Sequence, residues 1–247
     1  MKGVILAGGT GSRLLPLTKV TNKHLLPVYN KPMIFYPIEL LKKAGIKQIL
    51  VVTGKHHAGD VFSLLGSGKE FGLDFTFRVQ DEAGGIPQAM GLAKDFVGHE
   101  KFISVNGDNI LFEDISSIVK KFEKGDEEAH ILLYETTREE AKKAGVAIMD
   151  GDKVVKLVEK PDDPPTNVIS IGIFMLTPSV FEVISSLKPS ARGELEVVDI
   201  QNEYIRRGTL KASRIGGEWL DAGSIEELSR VNQRIAEIYQ KRVIGLM

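Results

Sequence analysis

The chain has 247 residues, with 32 Lys+Arg against 33 Asp+Glu and a formal net charge of −1. It contains no cysteine, which excludes a disulfide framework, a thiolate metal site and a thiol nucleophile. The balanced charge excludes a general polyanion-binding surface and leaves room for a local basic pocket, so nucleic acid is not an expected partner.

The N-terminus opens with Met1-Lys2-Gly3 and an apolar run through Ala7. That run is too short for a signal-peptide core, and no segment approaches the ~20 apolar residues of a membrane span. A cytoplasmic location without a membrane partner is the expectation. The run instead predicts a strand over 4–6, apolar on both faces as in a parallel sheet. A helix is predicted over 32–44, with Gly45 at its C-terminal cap. A strand over 48–53, a helix over 58–65 closed by Gly66, and an alternating strand over 73–79 follow. Further on come a helix over 86–96, a strand over 102–105 and a helix over 114–122. Strands separated by helices imply βαβ units.

Beyond Ala129 the pattern becomes β-rich, with strands over 131–135, 146–149, 154–159 and 169–176. Asp150-Gly151-Asp152 reads as a hairpin turn. Helices over 178–187 and 197–207 and a strand over 210–215 complete this part. Residues 224–242 place Ile225, Leu228, Val231, Ile235 and Ile238 at spacings of three and four, an amphipathic closing helix. Ser224 is its N-cap and Glu227 stands at the capping-box position. No repeat or long linker divides the chain, so one α/β domain over 1–247 is expected.

Chemistry concentrates after the first strand. In Leu6-Ala7-Gly8-Gly9-Thr10-Gly11-Ser12-Arg13-Leu14, successive backbone N–H groups can form an anion-binding concavity, and Arg13 adds a planar cation suited to phosphate. The loop is neither a dinucleotide fingerprint, because Leu14 takes the third glycine slot, nor a P-loop. Lys23 precedes an apolar anchor, Leu25-Leu26, that can direct it into the same pocket. Asp108 ends a strand after Gly107, a place suited to a hard cation such as Mg²⁺. His56, His57 and Asp60 read as an exposed loop and not as a metal cluster.

The loop, with Pro16, Thr18 and Lys23-His24-Leu25-Leu26-Pro27-Val28, resembles the signature of the sugar-phosphate nucleotidyltransferases. Within them the resemblance is to the glucose-1-phosphate thymidylyltransferase family in its short form, without the C-terminal extension of longer members. It implies a Rossmann-like mixed, mainly parallel sheet flanked by helices, of the nucleotide-diphospho-sugar transferase type. Residues 130–223 would be the sugar-binding part and 224–247 the closing helix. The implied reaction joins dTTP to glucose 1-phosphate, giving dTDP-glucose and pyrophosphate with Mg²⁺ as cofactor. UTP use remains open, because thymine differs from uracil by one methyl, a group worth only ~1–3 kcal/mol in a pocket. A non-catalytic nucleotide-sugar sensor on the same fold is a further alternative, as is assembly into a homo-oligomer.

The resemblance also assigns residues. The nucleotide would lie on Leu6, Ala7, Gly8, Gly9, Thr10, Gly11, Ser12 and Arg13, with Gln80 and the Gly85 backbone at the base. An amide side chain both donates and accepts, which suits the imide edge of thymine or uracil. Asp108 and Asp221 would hold the metal, and Asp108 would also touch the nucleotide. Lys23, Asn109, Gly145, Glu159, Lys160, Glu194 and Asp221 would bind the sugar phosphate. Arg13, Lys23, Lys160 and Asp108 would carry the catalysis.

Overall fold

The computed structural model describes residues 1–243. The predicted closing helix therefore extends past the described residues at 244–247. In chain order the elements are β1 Lys2–Ala7, β2 Pro27–Val28, β3 Lys31–Pro32, α1 Phe35–Lys43, β4 Gln48–Gly54, α2 Ala58–Leu65 and β5 Asp74–Gln80. Then come α3 Ile86–Gly91, α4 Lys94–Val97, β6 Phe102–Asn106, β7 Asn109–Phe112, α5 Ser116–Lys124, β8 Ala129–Glu135 and α6 Arg138–Ala141. The remainder is β9 Gly145–Asp150, β10 Lys153–Glu159, β11 Val168–Leu176, α7 Val180–Ser186, α8 Val197–Arg207, β12 Leu210–Arg214, β13 Glu218–Asp221 and α9 Ile225–Val243.

Nine strands form one mixed sheet. Its N-terminal half, β6-β1-β4-β5, is parallel. The other half turns antiparallel at β11, which pairs β8 along one edge and shares its other edge between β9 and β6. Alternate residues of β1 explain why the sheet is covered on both faces. Ile5 and Ala7 enter the core beneath α1 and α5, whereas Val4 and Leu6 enter the core beneath α3, α7 and α8. A third apolar cluster joins Leu14, Val28, Met33 and Ile110 to Leu228, Val231 and Ile235 of α9. It clamps the closing helix beside the glycine loop. Among the described residues no helix is long and apolar enough to cross a membrane.

Several expectations shift in detail. The helix expected over 86–96 is two short helices, because Leu92 and Ala93 close i→i+3 turns onto Ala89 and Met90. The helix expected from 114 begins at Ser116, whose backbone and hydroxyl both donate to the Asp114 carboxylate. Pro32 lies in β3, so α1 starts at Phe35. Ser224 Oγ accepts from the Glu227 N–H at 3.2 Å, and the Glu227 carboxylate, which accepts from Lys143 at 3.0 Å, also takes a hydrogen bond from the Ser224 side chain. Ile225 is 40% exposed, whereas Leu228, Val231, Ile235 and Ile238 are buried. The pair β7–β13 has no alternating signal and is absent from the sequence reading; it is the element that shapes the site.

Candidate active site

The site is built where β1, β4, β5 and β6 end on the same edge of the sheet. The glycines there answer to close packing. A Cβ on Gly8 would lie 2.0 Å from Gln80 Oε1, and one on Gly54 would lie 2.9 Å from the Gly8 carbonyl oxygen. Gly11 has φ +64, and its carbonyl accepts from Thr18 Oγ1 at 2.8 Å. Leu14, fully buried, anchors the loop, so Arg13 is left exposed with its guanidinium over Gly223.

Lys23 and His24 sit in a tight turn capped by Asn22. Asn22 Oδ1 accepts from His24 N at 2.9 Å and lies 2.8 Å from His24 Nδ1, while Asn22 Nδ2 donates to the Ala7 carbonyl at 3.5 Å. Such a cap stiffens the turn, and Lys23 Nζ is delivered 2.5 Å from Asp108 Oδ2. Burial alone would lower the Lys23 pKa, but the Asp108 and Asp221 carboxylates outweigh it and raise it. Asp108 is likewise opposed by burial, yet Lys23 holds its carboxyl well below the usual range. His24, fully enclosed beside Lys23, is pushed down to about 3 and stays neutral.

Asp108 and Asp221 are 113 positions apart in the numbering, and the β7–β13 pairing sets Asp221 directly opposite Asn109. Asn109 is the strut between them. Its Nδ2 donates to Asp108 Oδ1 at 3.2 Å, and its Oδ1 accepts from Gly172 N at 3.0 Å and Trp219 Nε1 at 2.9 Å. Asp221 behaves oppositely to Asp108: burial first, then the Asp108 charge, pushes it up to about 7. Its Oδ1 is buried without a hydrogen-bond partner. A buried, unpartnered carboxylate oxygen beside a second carboxylate is a donor set that fits a hard divalent cation. No group of three or more His, Cys, Asp or Glu suited to a metal occurs among the described residues. Further ligands would therefore have to come from substrate oxygens or water. His56 is exposed and His57 pairs with Asp60 at 3.2 Å.

A cavity of about 310 Å³ is lined by the glycine loop, Leu6, Arg13, Lys23, Gln80, Gly85, Asp108 and Glu194. Those expected residues are thus brought together. Gly85 has φ +98 and abuts Leu195, whose N–H donates to the Gly84 carbonyl at 3.0 Å, so the base-side turn touches the segment carrying Glu194. Ala7 is fully buried, and Asn109 has its amide committed inside the protein. Glu159, Lys160 and Gly145 form a neighbouring cluster outside that cavity's walls. Lys160 has φ +42 and its Nζ lies 3.3 Å from Glu159 Oε1, while a Cβ on Gly145 would meet Val198 at 2.9 Å.

Three features escape the sequence reading. Arg192 ties Glu159 to Glu196 at 3.1 and 2.7 Å. Asn106 lines the cavity with a buried, unpartnered Oδ1. Gln88 bridges Gln80 and Gly84. Asn106 carried a signal, since it immediately precedes the strand-end Gly107-Asp108, and Gln88 lies within the Gly84–Ala89 stretch that resembles the base pocket, although only Gln80 and the Gly85 backbone are assigned to the base there.

Residues 2–238 match the family described as nucleotidyl transferase. A low-salt glycan biosynthesis nucleotidyltransferase of Haloferax volcanii is 43% identical over 96% of this chain; the chain spans 66% of that relative's length. A glucose-1-phosphate thymidylyltransferase of Neisseria meningitidis is 36% identical over 92% of this chain and 80% of its own. Among solved structures, a candidate glucose-1-phosphate thymidylyltransferase of Bacillus anthracis in complex with sucrose superposes with TM-score 0.90 at 49% identity, covering 94% of each chain. A UDP-glucose pyrophosphorylase complexed with UDP-glucose superposes with TM-score 0.85 at 25% identity, covering 96% of this chain and 98% of its own. With the glycine loop, the cations and the paired carboxylates in one place, and with these matches, the chain belongs to the nucleotidyl transferase family.

Proposed function

We propose that this chain transfers a nucleotidyl group from dTTP to glucose 1-phosphate, releasing pyrophosphate and forming dTDP-glucose. The carrying observation is the Lys23–Asp108 ion pair in the wall of the glycine-loop cavity, with the Asp221 carboxylate close enough to act on the Lys23 charge. Residues 1–247 act in this reading as one transferase domain, with the sugar-binding part over 130–223.

A sugar phosphate is anionic when it arrives, so its oxygen needs no base to attack the α-phosphorus in line. Positioning and charge neutralisation supply the catalysis. Arg13 and the N–H groups of Gly9, Thr10 and Gly11 hold the β- and γ-phosphates that leave. Lys23 holds the α-phosphate, and Lys160 orients the sugar phosphate. Glu159 and Glu194 accept hydrogen bonds from hexose hydroxyls. Gln80 and the Gly85 backbone read the base. Asp108 and Asp221 would hold Mg²⁺, which when bound adds positive charge next to the α-phosphate.

A second reading keeps the reaction and exchanges dTTP for UTP. The structural likeness to the UDP-glucose pyrophosphorylase favours it. Phosphorus NMR of a mixture of dTTP, glucose 1-phosphate, Mg²⁺ and protein tests the proposal. The expected result is loss of both substrates with growth of diphosphodiester and pyrophosphate signals. Unchanged spectra with both dTTP and UTP would refute it.

A further inference from the structure

The base pocket has a second amide behind the first. Gln88, on α3, accepts two hydrogen bonds at its Oε1: one from Gly84 N at 2.8 Å and one from Gln80 Nε2 at 2.7 Å. A backbone N–H can only donate, so the Gln88 atom facing Gly84 must be oxygen. The Gln80 atom facing that oxygen must then be its NH₂. Amide orientation is usually open to a flip; here the backbone removes the choice. The Gln88 amide packs flat on Gly84, where a Cβ would lie 2.5 Å from its Cδ. Gln80 Oε1 is turned the other way, over the α-carbon of Gly8, in the wall of the cavity.

The geometry points to Gln88 as the positioning residue that fixes Gln80 as an acceptor, and so selects a pyrimidine imide over cytosine. This rests on the proposed placement of the base at Gln80. Thymine and uracil carry an N3–H that donates to a carbonyl oxygen. Cytosine presents a lone pair at N3, which would face the Gln80 oxygen without a proton between them. An oxygen that cannot rotate away leaves that mismatch unrelieved, whereas a free glutamine would flip and offer its NH₂.

The test compares kcat/KM for dTTP, UTP and CTP in wild type, Gln88→Met and Gln88→Glu. Gln88→Met removes the acceptor at similar length, and the dTTP-to-CTP ratio should fall about tenfold, the order expected for one hydrogen bond. Gln88→Glu keeps an oxygen toward Gly84 and Gln80 and should retain most of the ratio. Should Gln88→Met fail to fold, Gln88→Asn, one methylene shorter, carries the same comparison. An equal loss for all three nucleotides with the ratio intact would mark Gln88 as a packing residue and overturn its role alone. Wild type that uses CTP as readily as dTTP would overturn the base placement at Gln80, and this inference with it.

Discussion

Lys23 Nζ and Asp108 Oδ2 lie 2.5 Å apart, both nearly enclosed, although 85 positions separate them in sequence. Each holds the other charged where burial alone would neutralise it. Removing one charge leaves its partner buried and uncompensated, a costly state.

Asp108→Asn should therefore lower pyrophosphate release well beyond tenfold, the order lost when one preorganised charge is removed from a transition state. The measurement is turnover at saturating dTTP, glucose 1-phosphate and Mg²⁺. Near-normal turnover would remove Asp108 from the reacting region.

Asp221 should show the opposite balance between stability and activity. Its Oδ1 is buried with no partner, and the Asp108 carboxylate adds repulsion. Asp221→Asn should raise the melting temperature in chelator, abolish most turnover, and lose the further rise that Mg²⁺ gives wild type through binding the folded state. Calorimetry with and without Mg²⁺ checks this. A variant that melts below wild type in chelator would contradict it.

His24 gives the pH dependence. Its folded pKa is depressed to about 3 from 6.5, by burial first and by the Lys23 charge second. The unfolded chain thus binds the proton more readily between those values. Stability from this group is full above about pH 6.5 and is lost as pH falls toward 3. His24→Gln should lose less stability than wild type between pH 6.5 and 4 in denaturant titrations. Parallel losses would exclude His24 as a source of the acid limb.

Arg192 should matter on the sugar side. It holds Glu159 and Glu196 together, and Lys160 shares the Glu159 oxygen. Arg192→Ala should raise KM for glucose 1-phosphate severalfold and leave KM for dTTP nearly unchanged. Equal effects on both would separate this cluster from sugar binding.

The local parts of this site were legible in the sequence. Glycine loops, a strand-end aspartate and an anchored lysine are short-range signals, and α2 and α8 fall at their expected bounds of 58–65 and 197–207. The meeting of Asp108 and Asp221 was not readable from the residues, because β7 and β13 are four-residue strands without alternation. Only the family resemblance joined them. Arg192 and Gln88 act through contacts with other side chains, which leave no periodic trace. The break between α3 and α4 was hidden because both halves continue one apolar pattern.

A pyrophosphate-release panel that crosses dTTP, UTP, CTP, ATP and GTP with several hexose 1-phosphates measures nucleotide and sugar choice together. The highest kcat/KM is expected for dTTP, with UTP as the nearest competitor, paired with glucose 1-phosphate. Preference for CTP or GTP, or no release with any pair, would contradict it.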